Sequence, residues 1–570
     1  MRYLALATDY DGTLAAEGRV SEASLGALRR LKDTGRRLIL VTGRELDDLL
    51  AIFPDYAIFD RIVAENGAVV FDPATREERA LAEPPSPLLV QRLAALGVTP
   101  LSCGRVIVAT WSPHEKVVLE AIHTLGLELQ VIFNKGAVMI LPSGINKASG
   151  LRTALGELAL SSHNTVAIGD AENDHALLAE CELGAAVANA LPLLKQRADW
   201  VTESARGQGV CELIEALVTS DLRWLEKRLG RHALRVGTFG DGSAVTIHAY
   251  GRRLLVSGAS GSGKSTLATA FLEGLIEQRY QYCLVDPEGD FHELDTTLEL
   301  GDEQHAPKAD DVLGVLKSAA ESVCVNLLGV ALDQRSAFLT MLLARCAELR
   351  AGTGRPHWFV VDEAHHMLPA GDVTLPEPIA HAPSGLMLIT VHPEKLAASV
   401  LAQIDTLIVV GRDAEDAVRA FAEATGREVP VLESPANEEQ RAVIWRCGAA
   451  EAPRWFSPAA PANERRRHRR KYAAGSLGED KSFYFRGPDQ KLNLRANNLT
   501  LFLQMGDGVD DETWLHHLRA HDYSRWVRVA IKNDALADAI EAIENQPNAS
   551  ATDTRQSIRR AIEKLYTLPA

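Results

Sequence analysis

Apolar runs of about five residues, each closed by polar or glycine-rich turns, recur along most of the chain. The first three that matter lie at residues 3–8, 37–41 and 165–168. Runs this short, without polar alternation, suit strands buried on both faces, as in a parallel sheet covered by helices. Between the first two, Ser21 stands where a helix N-cap belongs, and Leu25, Leu28 and Leu31 repeat at helical spacing before Gly35. Strand, helix, strand, with polar signatures following the strands, predicts a doubly wound α/β core whose chemistry sits at the carboxyl ends. Residues 75–141 are too many for a plain crossover. They hold strand-like runs at 105–110 and 129–133 and a helical stretch at 115–125, which predicts an inserted α+β cap; a further helix opens at Asn146 and Lys147.

The pattern restarts after a charged, helix-like stretch at 221–234. Apolar runs at 253–257, 284–285, 358–361 and 388–391, with a helix at 267–276, predict a second α/β domain. Pro453, Pro458 and Pro461, followed by the basic run 465–471, mark a linker. Beyond it, a short strand at 482–485 and helices at about 511–520, 523–532, 535–545 and 554–566 predict a small, mainly helical domain. The expected division is therefore 1–215, a helical connector 216–236, a second α/β domain 237–450, a linker 451–478 and a terminal domain 479–570. Trp514, Leu518 and Trp526 read as core. His517 and His521, one turn apart with Asp522 following, read as a polar helix face, because no cysteine or further histidine completes a metal set.

Composition narrows the choices. A chain of 570 residues, 46% hydrophobic and 24% charged, is globular and multidomain. Its 76 acidic and 60 basic residues give a formal charge of −16, which disfavours nucleic acid as the main partner while leaving room for a local basic groove. The 7 cysteines are scattered with no C-x-x-C pair, so a reduced cytoplasm is expected. No run approaches the roughly 18 apolar residues that span a bilayer, and the chain enters its first strand directly after Met1 and Arg2 rather than through a signal peptide.

The first strand delivers Asp9 and Asp11, followed by Gly12 and Thr13. Two carboxylates this close at a buried strand end repel unless a cation or proton joins them, and hard oxygen ligands there suit Mg2+. One carboxylate can attack phosphorus while the other shuttles the leaving-group proton. With Thr42, Lys147, and Asp170, Asn173 and Asp174 following in order, this module resembles a haloacid-dehalogenase-superfamily phosphatase of the Cof type. The closing segments 187–190 and 198–202 match as well. The resemblance implies Asp9 as nucleophile, Asp11 as general acid and base, Thr42 as a phosphoryl donor contact and Lys147 as the neutralising cation. It places Mg2+ among Asp9, Asp11 and Asp170, with Asn173 or Asp174 assisting. A cap over such a site implies a small phosphorylated metabolite, sugar phosphates foremost. Cap residues Asn134 and Lys135 could contact substrate, although an exposed loop is the plainer reading.

In the second domain, Gly258, Gly261, Gly263, Lys264, Ser265 and Thr266 satisfy G-x-x-x-x-G-K-[ST] between a strand and a helix. The glycines let backbone amides approach phosphates, Lys264 reaches the β and γ phosphates of ATP, and Ser265 holds Mg2+. Asp362 and Glu363, ending the strand 358–361, read as the metal-side acid and the candidate base. With Asp286 after the second strand of this domain and His392 after a later one, the domain resembles the HerA/FtsK ring ATPases, which implies a possible homo-oligomer. Arg412 is a candidate arginine contact in cis or to a neighbour. The leading expectation is a Mg2+-dependent phosphatase joined to an ATPase. The alternatives are an ATP-driven DNA or protein translocase with a vestigial phosphatase head, and a nucleotide-switched scaffold.

Overall fold

A computed structural model describes residues 1–291, 294–370, 385–411, 413–437, 439–447, 451–461, 481–488, 490–531, 533–546 and 550–566. Arg412 and the basic run 465–471 lie outside the described residues. The chain divides into two compact units, Met1–Gly258 with Gly274–Pro458, and Ala259–Glu273 with the described part of Ala459–Ala570.

In the first unit, the amino-terminal strands are β1 (Ala5–Asp9), β2 (Arg37–Val41), β3 (Arg61–Ala64), β4 (Val69–Phe71) and β5 (Glu78–Ala80). The cap contributes β6 (Ser102–Cys103), β7 (Val108–Trp111), β8 (Leu129–Asn134) and β9 (Ala137–Pro142), and β10 (Thr165–Gly169), β11 (Leu183–Ala186) and β12 (Trp200–Val201) return to the core. They form an eight-stranded sheet in the order β12-β11-β10-β1-β2-β3-β4-β5 and a separate four-stranded cap sheet, β6-β7-β9-β8. Every residue of β1 is buried, and it pairs in parallel with β2 on one side and β10 on the other. The chain leaves β1 towards β2 and leaves β10 towards β11 on the other side, and the crevice so created lies at the carboxyl ends. The α/β core with an inserted α+β cap is as the apolar pattern predicts.

The second sheet has eleven strands. These are β13 (Leu234–Phe239), β14 (Ala244–Ile247), β15 (Arg253–Ser257), β16 (Tyr282–Asp286), β17 (Thr297–Leu300), β18 (Ser322–Asn326), β19 (Trp358–Val361), β20 (Gly385–Thr390), β21 (Thr406–Val410), β22 (Ala442–Arg446) and β23 (Arg454–Pro458). Their order is β14-β13-β23-β22-β21-β15-β20-β19-β16-β18-β17, parallel from β21 to β17. The hairpin β13–β14 adds to this sheet through β23.

The two sheets are joined inside the first unit by polar side chains at the amino ends of their strands. Glu182, just before β11, accepts hydrogen bonds from Arg2, from His163 Nδ1 at 2.8 Å and from the Tyr280 hydroxyl at 2.6 Å. Asn164, just before β10, meets His357, just before β19, with Oδ1 3.1 Å from Nε2. Arg355 donates to the Ala159 carbonyl at 2.7 Å. These contacts lie at the amino ends of the strands, opposite the carboxyl ends where function is expected.

Three elements differ from the reading of the sequence. The helix expected at 221–234 is a short 3-10 helix, Arg223–Arg228, before β13. Asp221 ends the preceding helix at φ 51° because its carboxylate is taken by Arg36 at 2.9 Å and by the Arg2 amide at 2.5 Å. The strand expected at 105–110 begins only at Val108, since the amides of Arg105, Val106 and Ile107 donate to the Glu65 carboxylate at 2.8, 2.8 and 3.0 Å. In the terminal domain the stretch 523–532 splits into an α-helix, Asp522–Trp526, and a π turn, Val527–Ile531. That domain packs Phe483, Phe485, Phe502, Trp514, Tyr523 and Trp526 into one aromatic core. No helix among the described residues is long and apolar enough to cross a membrane.

Candidate active sites

At the carboxyl end of β1, Asp9 is buried, and the Lys147 ammonium lies 2.6 Å from its Oδ1 and 2.6 Å from Asp174 Oδ1. Lys147 is delivered by the first turn of the helix Lys147–Glu157, whose N-cap Asn146 closes a capping box with Ser149. Asp174 Oδ2 accepts the Asp170 and Ala171 amides, both at 2.9 Å, so both of its oxygens are engaged in fixing Lys147 and the turn after β10. Burial pushes the Asp9 carboxyl upward, Lys147 opposes the shift, and the facing Asp174 and Asp170 add to it. Lys147 is held charged: burial alone would lower it, but Asp174 and Asp9 raise it further.

Oxygens suited to a divalent ion converge here. One carboxylate oxygen each from Asp9, Asp170 and Asp174 lies within 4.8 Å of the others. Asp170 Oδ1 is buried with no hydrogen-bond partner, a costly arrangement that a cation would relieve. An all-oxygen donor set fits Mg2+. Thr13 Oγ1 is likewise buried and unpartnered, and Thr42 Oγ1 accepts the Arg44 amide at 3.1 Å, leaving its hydroxyl proton for another acceptor. Asn173 Nδ2 is spent on Asn66 Oδ1 at 2.9 Å.

Several contacts are not evident in the sequence. Arg44 grips the Asp11 carboxylate with two hydrogen bonds, 2.6 Å to Oδ2 and 2.8 Å to Oδ1, and also holds Asp48 at 2.6 Å. Lys135, at the exposed hairpin of the cap, also reaches into the site. Its Nζ lies 2.7 Å from Asp170 Oδ2 and 3.1 Å from the Asp11 carbonyl. The signal was the N-K-G turn between two apolar strands, which projects its side chain from the cap. Asn189 Nδ2 ties the Gly12 carbonyl at 2.8 Å, bracing the turn after Asp11.

In the second sheet, Asp362 follows β19 and Asp286 ends β16, the adjacent strand. Burial pushes the Asp362 carboxyl well up, and the charges of Asp286, Glu363 and Asp290 add to the shift. Glu363 sits at φ 42°, a left-handed conformation that non-glycine residues adopt mainly where neighbours enforce it. Its Oε2 lies 3.3 Å from His365 Nδ1, which is also 3.0 Å from Thr390 Oγ1 at the end of β20. His392 lies 3.0 Å from Glu394. Gly258, the last residue of the first unit's opening segment, takes φ 151°. In the other compact unit Gly261 and Gly263 take φ values of 78° and 107°, and Lys264 Nζ donates to the Ala259 carbonyl at 3.0 Å. Ser265 and Thr266 open the helix Lys264–Glu277 that follows. In the terminal domain, His517 Nδ1 is 2.8 Å from Asp522 and its Nε2 accepts the Arg486 amide at 3.1 Å. Both ring nitrogens are therefore used, in a polar pair.

Residues 6–87 and 118–214 match the model of a haloacid dehalogenase-like hydrolase family. A phosphoglycolate phosphatase 2 from Saccharolobus solfataricus is 31% identical over 225 residues, 38% of this chain and 93% of that protein. The chain belongs to the haloacid dehalogenase-like hydrolases. A second relative of this family, a phosphoglycolate phosphatase from Methanothermobacter thermautotrophicus, is 30% identical over 37% of this chain and 96% of its own length. A solved haloacid dehalogenase-like hydrolase from Bacteroides thetaiotaomicron is 20% identical over 38% of this chain and 99% of its own, with a TM-score of 0.34. Residues 248–382 match an AAA domain. The haloacid dehalogenase-like fold is thus followed, in one chain, by an AAA-type α/β domain.

Proposed function

We propose that the amino-terminal site hydrolyses a small phosphate monoester through Asp9, and that the second α/β domain hydrolyses ATP. The observation that carries the first part is the buried Lys147 ammonium shared by Asp9 and Asp174 beside the unpartnered oxygen of Asp170. Asp9 attacks phosphorus, forming an aspartyl-phosphate as the bond to the leaving oxygen breaks. Asp11 protonates that oxygen, then removes a proton from the water that cleaves the intermediate. Thr42 and Thr13 donate to the phosphoryl oxygens, and Lys147 offsets the charge gathering on Asp9 and phosphate. Asp9, Asp170 and the Asp11 turn would hold Mg2+, which supplies Lewis-acid stabilisation of the phosphoryl group. Asn173 and Asp174 support this shell from behind. The cap favours a small ester. Sugar phosphates and short phosphorylated acids both qualify, and the names of the relatives support the acids.

For the second domain, the sequence motifs assign nucleotide binding to Lys264, Ser265 and the P-loop glycines, the metal-side acid to Asp362 and the base to Glu363. A HerA/FtsK-like role would show as DNA-stimulated ATP hydrolysis at low salt. We divide the chain functionally at about residues 215, 236, 450 and 478. Asp9→Asn should abolish phosphate release from a panel of 2-phosphoglycolate and hexose phosphates and leave ATP hydrolysis intact, and Lys264→Ala should do the reverse. Phosphate release that persists in the Asp9 variant refutes the nucleophile assignment.

A further inference from the structure

The hairpin joining β8 to β9 turns on two residues, Lys135 and Gly136, with Asn134 paired to Ala137 across it. Their φ values are 48° and 89°. A two-residue turn with both φ positive ordinarily takes asparagine, aspartate or glycine first, and a lysine there carries backbone strain. The side chain placed at this strained tip is directed into the site, where its ammonium bridges Asp170 Oδ2 at 2.7 Å and the Asp11 carbonyl at 3.1 Å. Gly12 makes room for it: a Cβ at that position would lie 2.7 Å from Lys135 Nζ. Lys135 therefore stands between two hard oxygens, where a divalent ion would bind.

We propose that Lys135 is a specificity-determining residue that parks on Asp170 and the Asp11 carbonyl and, once Mg2+ takes those oxygens, turns to a second anionic group on the substrate, such as a carboxylate. Two like charges cannot share the same pair of oxygens, so metal loading drives the ammonium off. The other site cations are committed: Lys147 is held by Asp9 and Asp174, and Arg44 by Asp11 and Asp48. Lys135 is 44% exposed on a long flexible stem, so it can swing towards the leaving-group side without moving the hairpin. The preferred substrate is thus a short phosphate ester bearing a second negative charge. This rests on the phosphatase reading above.

The test uses the full chain and Lys135→Met, with MgCl2 titrated calorimetrically in the absence of substrate; the heat lost in Asp170→Asn defines the site. Removing the competing ammonium should tighten Mg2+ binding by roughly 5-fold, the scale of a partly exposed ion pair. With saturating Mg2+, KM for 2-phosphoglycolate should rise roughly 10-fold with kcat nearly unchanged, while KM for p-nitrophenyl phosphate stays as in the wild type. Lys135→Arg should retain the preference for the acidic ester. Unchanged Mg2+ affinity, or an equal rise in KM for both esters, overturns the proposal. If the wild type turns over neither ester, the phosphatase reading fails instead, and the Mg2+ titration alone decides whether Lys135 parks on the metal oxygens.

Discussion

Glu182→Gln tests whether the two sheets of the first unit are held by a buried charge. Glu182 is 2% exposed and receives Arg2, His163 and Tyr280 on its two oxygens. Burial alone would push this carboxyl up, but Arg2 and then His163 hold it well below its ordinary value. Glutamine keeps the shape and removes the charge that the buried Arg2 guanidinium meets at this position. Breaking a buried pair from one side costs roughly 3–5 kcal/mol. Arg2 keeps the Tyr250 ring, 4.0 Å from its guanidinium carbon, so the lower end is expected, about 3 kcal/mol or on the order of 100-fold in the unfolding equilibrium.

The same cluster sets the pH response. His232 is lowered to about 4 from 6.5, chiefly by burial, with Glu182 opposing and His163 and Arg231 adding to the shift. Its unfolded form takes up a proton that the folded form refuses, so stability present above pH 6.5 is lost as pH falls towards 4, by roughly 3 kcal/mol in all. His357, lowered well below its ordinary value by burial, acts in the same direction. Glu182 contributes stability above its ordinary value of 4.5 that is lost only as pH falls below it. Urea unfolding of the full chain, followed by tryptophan fluorescence at pH 7 and pH 5, measures both effects. Tyr280→Phe, which removes one hydrogen bond, should cost only about 1 kcal/mol. A loss under about 1 kcal/mol for Glu182→Gln at pH 7, or equal wild-type stability at the two pH values, would refute the reasoning.

Two further substitutions probe the active site. Gly67 has φ 107°, and a Cβ there would lie 1.9 Å from the Asn146 carbonyl and 2.9 Å from the Lys147 amide. Gly67→Ala should therefore cost about 3 kcal/mol or more and displace Lys147, read as a lower urea midpoint together with lost phosphate release; wild-type behaviour in both would contradict the close packing. Asp174→Asn leaves Lys147 paired to Asp9 alone, which dulls the nucleophile. Its kcat should fall roughly 10- to 100-fold with KM little changed, and a variant that raises KM at full kcat would show that Asp174 serves substrate binding instead.

Local chemistry made much of this protein readable in its sequence. Buried strands write themselves as short apolar runs, and the residues that follow β1, β2, β10, β15 and β19 were found because a chain leaving a strand must put its polar groups there. What only the tertiary structure decided is which of those groups meet. Lys147 and Asp9 are 138 residues apart, and Asn164 and His357 are 193 apart. No periodicity reports such pairings, because they depend on how helices and hairpins pack across the sheet. The cap shows the same limit: the N-K-G turn marks a hairpin, but only its docking over the Asp11 turn places the Lys135 ammonium between two oxygens. At the connector, too, a plausible helix gave way because Arg36, far away in the chain, claimed Asp221.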